Sequence, residues 1–361
     1  MRKKISLGIL CYLLVLLFVA NDAWIYKKPI AKIVNVTEEK AGAVEAIHGG
    51  EECYYKQKLK VKLLNTKEKG KTLVVINEYT TSRVIGQKYH KGAKVILNSQ
   101  DGKAVNSIRT QKRDTYLAAL FGGIIFLLIV FTGKQGIRTC FSLAVNGVIY
   151  VVGFFLYLRG YDILQICNLL VFVFTIATLF ILNGFHRKTV AAVLSTFCVF
   201  LLIMTIFTLT LHHTTPLDYT NMEYLGSIGN PEDLFMAEVM FAGLGAIMDV
   251  AVTLAASMEE LLRKKPDISL NALFRSGREV GYDIMGTMIN VLLFTFAAGL
   301  IPAFIIRMNN DIAFFTNIRL YIPFEIARFL IESIGIVSAI PVSIVVASAC
   351  FKWSVRKERN V

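Results

Sequence analysis

FMAEVMFAGLGAIMDVAVTLAA, residues 235–256, is the stretch that decides the fold. At 1.5 Å per residue it makes a helix of about 33 Å, enough for a hydrocarbon core of about 30 Å. Two carboxylates, Glu238 and Asp249, interrupt an otherwise apolar run. An Asp near the centre of a spanning helix costs roughly 2.5–3.5 kcal/mol on insertion scales. Such a residue is expected to perform a function or to be satisfied by a partner.

Outward from this segment the same composition recurs. Residues 5–20, 115–131, 139–158, 163–182, 189–211, 284–306 and 330–351 are further apolar runs of spanning or near-spanning length. With 55% hydrophobic residues in 361 and a mean hydropathy of +0.56, the chain reads as a polytopic, mostly α-helical membrane protein. About eight transmembrane helices are expected, with a small external β-barrel-like domain after the first. The first run is short. Arg2, Lys3 and Lys4 precede it as in a signal peptide, but Ala20-Asn-Asp-Ala23 is a poor cleavage site, so residues 1–20 read as an uncleaved anchor. The remaining organisation is an extracytoplasmic β domain at 21–113, a four-helix region at 115–211, a three-helix region with a polar core at 235–351, and a cytoplasmic tail at 352–361.

Basic residues set the orientation. With the N-terminus inside, the cytoplasmic segments hold sixteen Lys and Arg, and the short external loops hold only Arg159, Arg307, Arg319 and Arg328. Both termini are therefore expected inside a cell membrane. The 21–113 segment carries nineteen Lys and Arg yet falls outside, which long domains do regardless of charge. Most of the formal +13 resides there, so the charge implies no nucleic-acid partner. Cys53 is the one cysteine of that segment, which excludes a disulfide within it.

Within 21–113, Lys56, Lys58, Lys60 and Lys62 alternate with Gln57, Leu59, Val61 and Leu63, the period of a half-buried strand. Residues 71–79 and 93–98 are further strand candidates, and Gln100-Asp-Gly102 is a turn candidate. A small barrel of the OB or SH3-like kind fits this length. The lysine stripe is a solvated face or a contact for anionic lipid or wall polymer. Residues 307–329, amphipathic and aromatic, are expected to lie on the outer interface. Residues 211–234 form a polar external segment that includes His212, His213, Asp218, Glu223, Glu232 and Asp233.

Depth singles out the candidate site. Asp249 lies seven residues from the cytoplasmic end of its span, Asn290 six and Asn146 seven, which puts all three about 10 Å in. The two amides are expected to serve the carboxylate, since buried polar groups need partners. Glu238 and Glu332 fall within a turn of the outer ends of their helices, and Glu238 shares a face with Asp249. One reading is a carboxylate path for protons or cations. The other is that the outer pair snorkels to the interface and Asp249 only fixes a neighbouring helix. Small residues at Gly243, Gly245, Gly281, Gly286, Gly299 and Gly335 suit close helix packing. No P-loop and no His-Glu-x-x-His occurs, and His212-His213 lacks metal-ligand spacing, so neither an enzyme nor a cofactor is expected.

The blocks GLGAIMDVAVTLAASMEEL (243–261), GREVGYDIMGTMINVLLFTFAAGLIPAFII (277–306) and FLIESIGIVSAIPVSI (329–344) resemble the YibE/F-like family of bacterial membrane proteins, as does the order of anchor, external domain and multispan region. That resemblance implies a fold but no activity. The run from Gly245 to Asp249, followed by Met258-Glu-Glu-Leu-Leu-Arg-Lys-Lys265, also resembles the resistance–nodulation–division superfamily, including the SecD/SecF export subunits. This second likeness implies a proton-coupling role for Asp249. The expected function is a proton- or cation-coupled transporter or export-associated protein, with a non-transporting assembly protein as the rival. Beyond the lipid bilayer, a second membrane protein or a second copy is an open alternative as partner.

Overall fold

The computed structural model describes residues 2–45, 50–100, 103–213 and 230–359. Residues 101–102 of the expected turn, and Asp218 and Glu223, lie outside the described residues. By contacts the chain divides into two compact units, Met1–Ile137 and Arg138–Val361.

The first unit opens with helix α1 (Arg2–Ala20) and closes with α2 (Asp114–Thr132). Between them run β1 (Ile30–Glu45), β2 (Glu51–Leu63), β3 (Thr72–Thr80), β4 (Lys94–Gln100) and β5 (Lys103–Gln111), one antiparallel sheet of order β3-β2-β1-β4-β5. On β2 the alternation is complete from Lys56 to Leu63, with each lysine exposed and each intervening residue buried. Leu59 sits between Val36 of β1 and Val75 of β3, and Val61 between Ile33 and Leu73, so the inward faces of three strands share one core. The edge strands β3 and β5 approach within 8 Å at Cα but share no ladder among the described residues.

Gln57 is fully buried in that core and fully engaged. Its Nε2 donates to Glu38 Oε2 at 3.0 Å and to the Tyr89 carbonyl at 3.1 Å; its Oε1 accepts from Tyr89 N at 3.0 Å. Asn65 holds the chain where it leaves α1, accepting from Ile30 N at 2.7 Å and donating to the carbonyl of Lys28 at 2.8 Å. Lys112, with 2% of its side chain exposed, donates to Asp22 at 2.6 Å and also to Asp114, joining the end of α1 to the start of α2. Burying an ammonium requires such pairing. The Tyr26 hydroxyl donates to Asp114 at 2.6 Å, and that bond pushes the Tyr26 phenol up to about 12. Further along, the Tyr12 hydroxyl of α1 donates to the Ala119 carbonyl of α2 at 2.8 Å. Thus α2, grouped by sequence with the later helices, packs on α1.

The second unit holds α3 (Lys134–Leu158, which starts at the end of the first), α4 (Ile163–Asn183), α5 (Arg187–His213), α6 (Pro231–Ala242), α7 (Leu244–Lys264), α8 (Leu270–Asn309) and α9 (Phe314–Arg359). Its core is built by α5, α7 and α9 through residues such as Ile203, Val250, Leu254, Ile336 and Ile340. Glycines set two of the closest approaches. A Cβ on Gly281 of α8 would lie 2.5 Å from Ile340 Cγ2, and one on Gly335 of α9 would lie 2.5 Å from Ile203 Cδ1. Small residues are used in this way where no hydrophobic force between helices is available.

Seven helical stretches among the described residues are long and apolar enough to cross a membrane, counting α6 and α7 together; the apolar part of α1, Gly8–Ala20, is shorter. Two expectations are refined. The 235–256 segment is interrupted for one residue at Gly243, between α6 and α7, with the Gly243 backbone still in the right-handed helical region, and the two helices together are long enough for one span. Residues 307–329 are mostly helical: α8 continues to Asn309, and α9 already begins at Phe314 and runs on through the expected tail to Arg359.

Candidate functional site

The polar residues at matched depth do not converge. Asp249 lies on an exposed face of α7, and it has no hydrogen-bond or ion-pair partner among the described residues. The buried stripe of that helix is Ile247, Val250, Ala251, Leu254 and Met258, which turns Asp249 away from the core. Asn290 is also exposed and donates to the Gly286 carbonyl of its own helix at 2.8 Å. Asn146 of α3 donates to Thr178 Oγ1 of α4 at 2.8 Å, and its buried Oδ1 has no partner. The expected Asp249–Asn290–Asn146 grouping is corrected accordingly: equal depth does not imply a shared face.

The outer pair does converge. Glu238 of α6 and Glu325 of α9 both receive hydrogen bonds from the Arg328 guanidinium. Arg328 Nε also stands 3.7 Å from Glu332 Oε1, one turn further along α9. Local sequence explains the arrangement. Glu325, Arg328 and Glu332 follow i, i+3, i+7 spacing, which stacks them on one helical face. Glu238 is brought in by α6, whose start is fixed by Pro231 at the first turn and by Asn230, which accepts from Glu232 N at 3.3 Å. Phe235, one turn earlier on α6, is 1% exposed and packs edge-on between Phe207 and Phe324, with ring centroids 5.7 and 5.3 Å away. That aromatic wedge seats α6 against α9.

Glu332 differs from its neighbours. It is 8% exposed, and its side chain packs against the α6–α7 break. A Cβ on Gly243 would lie 3.4 Å from Glu332 Cγ, so the glycine leaves room for the carboxylate's stem. A cavity of about 300 Å³ opens beside Arg328, without Glu332 in its lining. Its polar lining is Glu238, Glu325, Arg328, Arg307 and Thr295, among phenylalanine rings and the Gly299 backbone. The Arg307 guanidinium stacks on the Tyr321 ring at 3.5 Å, which fixes one basic wall. The cavity is thus lined by two carboxylates and two guanidiniums, with Glu332 as a fifth charge behind it.

The YibE/F-like protein family matches residues 120–353, and the YibE/F family N-terminal domain matches residues 24–111. The chain belongs to the YibE/F family. Its first matched segment coincides with the sheet and its second with most of the helices, including every residue of the cluster. No curated protein and no solved structure matches the chain.

Arg328 and Glu325 do not stand out in the sequence as site members, because Arg328 counts there only toward the charge balance of the external segments. The Glu-x-x-Arg-x-x-x-Glu spacing was the available signal.

Proposed function

We propose that this integral membrane protein is a proton- or cation-coupled transporter, or an export-associated protein that works by the same coupling, with Glu332 as the coupling group. The observation that carries the reading is the uneven charge count: three carboxylates share the one guanidinium of Arg328, and Glu332, held at 3.7 Å, is the most buried of them. An unpaired carboxylate out of water is costly, and a proton or a bound cation removes that cost. The resistance–nodulation–division resemblance gave this role to Asp249; in the present proposal it passes to Glu332, and Glu238, Glu325 and Arg328 form the outer mouth. The reading is non-enzymatic. It places the chain in the cell membrane with both termini inside, counts α1 as an eighth span, and sets the curled sheet outside as a partly closed barrel.

The test is reconstitution into liposomes loaded with a pH-sensitive dye, under an imposed proton or sodium gradient. Wild type is expected to pass protons or sodium-linked protons, and Glu332→Gln to fold but pass none. Equal flux in the two would sink the coupling role. A second reading, membrane assembly without transport, is favoured by one observation: Asp249 and Asn290 lie on outward faces, where a second membrane protein or a second copy would satisfy them.

A further inference from the structure

A larger cavity, about 610 Å³, lies between α8 and α9, away from the Glu332 cluster. On α8 its lining is Asn271, Phe274, Arg275, Arg278, Tyr282 and Met285. Asn271, Arg275, Arg278, Tyr282 and Met285 are spaced by 4, 3, 4 and 3 residues and form one continuous stripe, with Phe274 beside its first turn. The facing wall on α9 is apolar and includes Val337, Ile340, Pro341 and Ile344. The two helices run antiparallel, with Gly277 against Ile344 and Gly281 against Ile340. The groove therefore has a polar end, at Asn271 and Arg275, and an apolar end, at Met285 and Val337.

Its dimensions and chemistry fit one leaflet of a bilayer. From Asn271 to Met285 the stripe rises about 21 Å, and half of a bilayer with its headgroups is about 20–22 Å. The polar end belongs to the charged segment that precedes the apolar run 284–306 of α8, while the facing α9 residues lie within the apolar run 330–351, so the groove straddles the membrane boundary. Neither Arg275 nor Arg278 has a carboxylate partner among the described residues. Arg278 only stacks on the Tyr282 ring, at 5.8 Å, and Glu279 and Asp283 do not line the cavity. Two guanidiniums three residues apart present a fork that suits a phosphate. A free anion would use only the polar half and leave the apolar half empty.

We propose that this groove binds an acidic glycerophospholipid, with its phosphate between Arg275 and Arg278 and an acyl chain along the α9 wall. This assignment is independent of the coupling role of Glu332. It is tested on the full chain, delipidated in detergent and then offered phosphatidylglycerol or phosphatidylcholine, with retained lipid read by native mass spectrometry. Inorganic phosphate and glycerol 3-phosphate are added in parallel, with thermal shift as the readout. Wild type is expected to retain phosphatidylglycerol about tenfold better than phosphatidylcholine, the scale of one charge-assisted contact. The preference should vanish in Arg275→Gln/Arg278→Gln. Val337→Trp, which fills the apolar end from a position 46% exposed, should lower retention with both arginines intact. The single Arg275→Gln serves if the double variant does not fold. Equal retention of the two lipids overturns the proposal, as do arginine variants or Val337→Trp that retain phosphatidylglycerol like wild type. A shift by inorganic phosphate or glycerol 3-phosphate as large as that by the lipid assigns the groove to a free anion instead.

Discussion

Two glycines on α8, five residues apart, should respond to alanine in opposite directions. A Cβ at Gly286 meets nothing within 4 Å, whereas a Cβ at Gly281 meets Ile340 Cγ2 at 2.5 Å and Cγ1 at 3.1 Å. Replacing a helix-interior glycine by alanine gains about 0.8–1.0 kcal/mol of helix propensity. At Gly286 that gain stands alone, so Gly286→Ala should stabilise by about 1 kcal/mol. At Gly281 it is opposed by overpacking, which costs roughly 1–3 kcal/mol. The upper part of that range applies, because 2.5 Å is about an ångström inside the favourable carbon–carbon separation of roughly 3.5–4.0 Å. Ile340 is 4% exposed and branched at Cβ, so its Cγ2 cannot swing aside alone. The net expectation for Gly281→Ala is a loss of about 1–2 kcal/mol. The two variants should then differ by about 2–3 kcal/mol, or on the order of 5 °C in apparent Tm. Detergent-purified variants melted side by side give the order Gly286→Ala, wild type, Gly281→Ala. Adding Ile340→Ala to Gly281→Ala should recover part of the loss, since the clashing carbon is gone. A Gly281→Ala protein that melts at or above Gly286→Ala would refute the packing described for α8 and α9.

Two further outcomes follow from the charge arrangements. Arg328→Gln removes the counter-charge shared by three carboxylates and should destabilise by about 3–5 kcal/mol, whereas Glu332→Gln removes one of the two excess negative charges and should stay within about 1 kcal/mol of wild type; equal losses in thermal melts would contradict the charge count. In the sheet, partial desolvation pushes the Glu38 carboxyl up, but hydrogen bonds from Lys88, Tyr79 and Gln57 outweigh it and hold the group below the usual carboxylate range. A depressed folded value means stability that is present above the unfolded pKa and lost as pH falls through the folded one. Glu38→Gln should therefore flatten the acid-side loss of Tm between about pH 5 and 3, and a variant as acid-sensitive as wild type there would show that the cluster contributes nothing.

How much of this was legible in the sequence depends on whether each signal carries a direction. On β2 it does: lysines alternate with apolar residues, and water against core is a two-sided contrast, so the strand and its inward face were both readable. On β1 the contrast fades after Ile33, where the register shifts before Asn35 and every later residue except half-buried Val36 is exposed, so the strand that pairs with both β2 and β4 gave no period. β5 is mostly exposed and shows as little alternation. Span length was readable for the same reason that lipid demands it, but the breaks were not. Gly243 is one glycine among several, and only the packing of Glu332 against it distinguishes it from Gly245, which meets nothing within 4 Å.

The site shows the limit most clearly. The insertion cost of Asp249 is real, yet cost is a scalar, and it says that a partner is needed without saying on which side. Between Leu244 and Ala256 only Asp249 itself and Thr253 mark a face, and among the other, apolar positions the core-facing and outward-facing ones read alike. Ile247, Val250, Leu254 and Met258 face the core and Met248 and Val252 are only half-buried, though all six are apolar. A counter-charge at helical spacing does supply direction. Arg328 lies three residues from Glu325 and four from Glu332, so two carboxylates and one guanidinium must share a face wherever that helix packs. Glu332 then stands apart from Asp249 on grounds the sequence already contained: it has a cation beside it that must be shared, and sharing leaves a charge over. Among intramembrane carboxylates of this chain, the argument for a titrating or cation-binding role is therefore stronger where opposite charges are close and unequal in number than where a single charge is merely deep.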